Sequence, residues 1–141
     1  MSNIDIANSF FSYYASAATD NVAAYQGMHQ YLDENVTFSD MAYNEGIKGK
    51  EVFAMWHWFC TKVPAPVRVT FDPSKTREQG GIVILAYQAE YIFGYNPSDS
   101  NSGKPINYMI TAILTIDNGK ITDHKDVADL KCGLHRQWGL K

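Results

Sequence analysis

Ile113-Leu114-Thr115-Ile116-Asp117-Asn118-Gly119-Lys120-Ile121-Thr122-Asp123-His124-Lys125-Asp126-Val127-Ala128 is two β-rich runs hinged on an Asn-Gly pair. Asn-Gly supplies the positive φ angles of a two-residue hairpin, so the flanking runs fold back antiparallel. Upstream, Pro105 to Asp117 reads as one long strand, Asn96 to Lys104 as a polar loop, and Ile82 to Tyr95 as another β-branched and aromatic strand. Val67, Val69 and Phe71 alternate before the turn-rich Asp72-Pro73-Ser74. Closer to the N-terminus the period changes. Ile4, Ala7, Phe11, Tyr14 and Ala18 fall on one helix face, and Val22, Tyr25, Met28 and Leu32 begin a second stripe after Thr19-Asp20-Asn21. Val52, Phe53, Trp56, Phe59, Cys60 and Val63 form a third, stopped by Pro64 and Pro66. Between the second and third lies a short strand, Val36 to Asp40, with Val36, Phe38 and Asp40 on one face. Leu130, Leu134 and Trp138, four apart, predict a short tail helix. Helices first and hairpin-joined strands after them predict an α+β fold. The expected form is a cone-shaped, curved antiparallel sheet with the N-terminal helices on its concave face, one domain over 1–141.

Composition narrows the function. The 141 residues are 45% hydrophobic and 19% charged, which excludes a disordered chain. Net charge is −3 and the 12 Lys and Arg are scattered, so there is no basic stripe for a nucleic acid. No apolar run reaches membrane-spanning length, and Met1-Ser2-Asn3-Ile4-Asp5 lacks a basic, greasy leader, so a cytoplasmic location is expected. Cys60 and Cys132 form no metal-like or disulfide framework, and no metal site is expected. The 3 Trp, 9 Tyr and 7 Phe are enough to line a pocket as well as fill a core. Strands 82–95 and 105–117 are apolar on both parities, which predicts one face against helices and the other in a homodimer.

Four segments carry a family resemblance: Tyr31-Leu32-Asp33-Glu34-Asn35-Val36-Thr37-Phe38-Ser39-Asp40, Gly49-Lys50-Glu51, the hairpin Asp117 to Ile121, and His124-Lys125-Asp126-Val127-Ala128-Asp129. In order and spacing the chain resembles the nuclear transport factor 2-like superfamily and its SnoaL-like branch. That branch groups polyketide cyclases with relatives of ketosteroid isomerase and limonene-epoxide hydrolase. The resemblance implies a conical cavity for a small hydrophobic ligand, cofactor-free acid–base chemistry, and a homodimer through the convex sheet face.

Spacing and resemblance together single out the polar candidates. His124 and Asp126 lie two apart and point the same way. Neither face of their strand is purely apolar, and the resemblance places the pair inside the cone, where the hydrolases carry Trp-x-Asp. Gln88 and Glu90 fall where the hydrolases have Arg-x-Asp. Asp40 matches the general base of ketosteroid isomerases, and Tyr14, with Tyr13 beside it, lies near their oxyanion tyrosine. Trp56 and Phe59 either line the cavity or fill the core, as does Tyr108; Phe38 shares the face of Asp40. The expected catalytic set is Asp126, Asp40, His124 and Glu90, with Tyr14, Phe38, Trp56, Phe59, Gln88 and Tyr108 binding the ligand. Ala112 stands near the position of the isomerases' protonated aspartic acid, a departure from that mechanism. The alternative is a non-catalytic ligand-binding or dimerisation domain. Catalysis requires Asp40 or Glu90 to converge on Asp126.

Overall fold

Ser2 opens the first helix with a reciprocal cap. Its hydroxyl accepts from the Asp5 amide at 3.1 Å, and the Asp5 carboxylate accepts from the Ser2 amide at 3.2 Å. The computed structural model describes residues 1–40, 45–61, 68–92 and 105–128. Its helices are α1 (Asn3–Ala15), α2 (Asn21–His29) and α3 (Lys50–Thr61). Asp20 caps α2 by accepting from the Ala23 amide at 3.0 Å. The strands are β1 (Leu32–Ser39), β2 (Ile47–Lys48), β3 (Arg68–Phe71), β4 (Arg77–Gln79), β5 (Ile82–Ile92), β6 (Pro105–Asp117) and β7 (Lys120–Ala128). The second stripe stops earlier than its spacing predicts: Leu32 opens β1, and Val22 is exposed.

The strands make one sheet in the order β2-β1-β7-β6-β5-β3, with β4 also on β5. The sheet is curved, unclosed and mixed. Every pair is antiparallel except β1 with β7, which run parallel with Phe38 beside His124. No turn links these two strands, so local sequence says nothing about their direction. The β6–β7 hairpin turns on Asn118 (φ 50°) and Gly119 (φ 76°), the left-handed pair that its sequence predicts.

Parity on the sheet is unambiguous. Val83, Leu85, Tyr87 and Ala89 of β5 are buried, as are Ile110, Ala112, Leu114 and Ile116 of β6. On this inner face lie Phe10 and Phe11 of α1 and Trp56 of α3, all buried. β7 would break the alternation but for a bulge. Thr115 pairs with Asp123 and Ile116 with Ile121, so Thr122 is the extra residue. The bulge turns both Ile121 and His124, three apart, into the core. The expected tail helix and Val63 lie outside the described residues. Among the described residues, no helix is long and apolar enough to cross a membrane.

Candidate functional site

His124 is fully buried at 0% exposure inside a cage of aromatic rings. Trp56 stacks on it at 5.6 Å and 21° between planes. Phe38 meets it edge-on at 4.9 Å, Phe11 at 5.8 Å and Phe10 at 6.2 Å. Its Nε2 lies 2.6 Å from Asp126 Oδ1. Asp126 Oδ2 accepts from the Tyr87 hydroxyl, also at 2.6 Å. The carboxylate therefore takes one bond on each oxygen and keeps a lone pair on each. Among the described residues, Nδ1 of His124 has no partner. The neutral tautomer with its proton on Nε2 satisfies Asp126 and leaves no buried imidazole N–H unpaired.

The sheet explains why these three groups meet. Asp126 pairs with Ala112, which pairs in turn with Leu85. Tyr87 sits two residues beyond Leu85 on the same face. The small Ala112 between them lets the phenol reach across β6 to β7. The His124 side chain is not exposed, while that of Asp126 is 8% exposed.

Asp40 follows the end of β1 and is half-buried. The parallel register, with Ser39 beside Lys125, brings the chain at Asp40 level with Asp126. Tyr108 is also half-buried on the inner parity, opposite Ala89. Burial, and secondarily the charge of Asp40, push its phenol above the ordinary range. Tyr14 rather than Tyr13 is the inward residue; its ring packs against Trp56 at 5.1 Å. Tyr13 is exposed, and its ring lies over Gly27, where any Cβ would meet it at 2.2 Å. Phe59 is half-buried, 6.1 Å from Trp56.

Two expected site residues are displaced. Gln88 is exposed, and Glu90 shares its parity on the outer face of β5. Neither belongs to the cone. A buried glutamate would need a partner, whereas the outer face gives it water. The acid expected opposite Asp126, Glu90, is thus replaced by Tyr87, three residues earlier on β5 and on the other face. An apolar run with a Tyr on its inner parity gave no signal that this Tyr bonds a carboxylate. A separate open groove of about 540 Å³ runs beside β1 and β2, lined by Thr37, Glu45, Ile47 and Glu51 among others, and touches neither His124 nor Asp126. Among the described residues, no three His, Cys, Asp or Glu side chains are grouped to hold a metal ion.

Helices seated on the inner face of a curved sheet, with a polar cluster between them, define a nuclear transport factor 2-like fold. The SnoaL-like domain model matches residues 12–124, and the chain belongs to this family. No curated protein matches the chain. Solved structures share the fold at low identity. A nuclear transport factor 2-like protein of Cytophaga hutchinsonii aligns at TM-score 0.65 and 17% identity, covering 93% of each chain. An LEH-like epoxide hydrolase of M. tuberculosis aligns at 0.69 and 13%, covering 94% of this chain and 86% of its own. A protein of Catenulispora acidiphila with a ketosteroid isomerase-like fold, solved in complex with trimethylamine, aligns at 0.68 and 19%, covering 97% and 94%.

Proposed function

We propose that the chain is a cofactor-free acid–base enzyme acting on a small hydrophobic metabolite, of the polyketide, steroid or terpenoid kind, with Asp126 moving the proton. The observation that carries this reading is the clamp on Asp126. Tyr87 and His124 each donate to one of its oxygens at 2.6 Å. A carboxylate so held is fixed in orientation and retains acceptor sites for a substrate proton. His124 is a positioning residue, since it is buried behind Asp126, and Tyr87 shares that role. Asp40 and Tyr108 supply a second polar station on the inner parity. The rings around His124 favour an apolar ligand body.

The reading as a non-catalytic binding or dimerisation domain rests on a different observation. Phe10, Phe11, Phe38 and Trp56 are packed as core around His124, and Glu90 has left the site. In that reading the trio is a hydrogen-bonded core network. Solvent exchange separates the two without knowledge of the natural substrate. The protein is incubated in D2O with a panel of hydrophobic ketones, and deuterium uptake beside the carbonyl is followed by mass spectrometry. Uptake above the buffer rate supports catalysis. Ligand retention in native mass spectra without uptake on any ketone supports the binding domain.

A further inference from the structure

Two buried polar atoms in the aromatic cage have no hydrogen-bond partner among the described residues: Trp56 Nε1 and His124 Nδ1. They belong to rings stacked at 5.6 Å and nearly parallel at 21°. Trp56 is 2% exposed and His124 0%. Buried polar groups in folded proteins are nearly always paired, so two orphans on adjacent rings call for a common cause. Their chemistry is complementary. The indole N–H can only donate. In the neutral tautomer that donates from Nε2 to Asp126, Nδ1 is an acceptor. One group matches both demands: a hydroxyl, which accepts through a lone pair and donates through its hydrogen.

We propose that Trp56 Nε1 and His124 Nδ1 together form a site for a single hydroxyl group. A buried water and the alcohol of a small hydrophobic ligand present the same chemistry there. The site lies on the opposite ring nitrogen from Asp126, so it does not depend on whether Asp126 transfers a proton. An occupied Nδ1 also holds the imidazole proton on Nε2 and thereby fixes the bond to Asp126, which makes Trp56 a positioning residue for the trio.

The test is NMR on the full chain with ¹⁵N-labelled tryptophan and histidine. The Trp56 indole is assigned by through-bond correlation in the wild type and checked by the signal lost in Trp56→Phe, so a failure of that variant to fold does not affect the result. With water in the site, the Trp56 indole proton cross-relaxes with solvent and His124 Nδ1 shows the shift of a hydrogen-bonded acceptor. With a ligand alcohol as the intended occupant, cyclohexanol moves both signals and methylcyclohexane moves neither. Either result supports the site. It is overturned if both nitrogens keep unbonded shifts in water and with cyclohexanol, or if only one of them responds.

Discussion

Tyr87 hydrogen-bonds to a carboxylate two strands away, and its hydroxyl is the least replaceable part of the ring. Tyr87→Phe keeps the packing against Phe11 and removes one donor from a nearly buried carboxylate. A hydrogen bond to a charged group contributes about 1.5–3 kcal/mol, and chemical denaturation of the variant is expected to show a loss of that order. An unchanged midpoint would mean that the phenol does not hold Asp126. Cys60 gives a pH-dependent counterpart. Its thiol is buried against the Met28 sulfur at 3.6 Å, and burial pushes its pKa from 9.0 up to about 11. Below 9.0 both folded and unfolded thiols keep their proton. Between the two values the unfolded thiol loses it first, so the unfolded state binds fewer protons and stability falls as pH rises. Cys60→Ala lacks this contribution. Denaturation of both proteins on either side of that window should show a steeper alkaline loss in the wild type, and parallel curves would contradict the burial of the thiol.

At the scale of elements, Ala112 is the small residue that lets β5 and β7 communicate across β6. Ala112→Leu fills the space that the Tyr87 side chain crosses. Overpacking of about 1–3 kcal/mol is expected, together with loss of the Tyr87–Asp126 bond, visible in a crystal structure. A variant as stable as the wild type with the bond intact would refute this role. The same strands show what the sequence could and could not tell. The β6–β7 hairpin was legible because Asn118-Gly119 demands one backbone conformation. The inward direction of His124 and Asp126 was not legible from alternation, because the bulge at Thr122 shifts the phase within the strand. Resemblance places Gln88 and Glu90 in the cone, whereas β5 has apolar residues on both parities, so its own pattern does not distinguish the two faces. β2 and β4, at two and three residues, are too short to carry a period.

On the scale of the whole molecule, the outer sheet face carries exposed apolar side chains. Ile82, Ile84, Met109 and Val127 stand on it at 43–58% exposure, and Ile84 pairs with Ile113 of the same face. We propose that a second copy of the chain covers this surface, since scattered single apolar residues are ordinary but exposed apolar residues on one face of three adjacent strands form a patch. Light scattering at micromolar concentration is expected to give the mass of a dimer for the wild type and of a monomer for Ile84→Lys. A monomeric wild type would refute the proposal.

The proposed chemistry resides in the Asp126 carboxylate. Asp126→Asn preserves the shape of the side chain and removes its capacity to take a proton. Deuterium uptake beside the carbonyl of the most reactive ketone in the panel is measured for the wild type and Asp126→Asn, with ketone affinity measured for both in parallel. The expected result is a fall on the order of 10²–10⁴-fold in uptake with affinity nearly unchanged. Uptake that survives in Asp126→Asn at the wild-type rate would contradict the assignment.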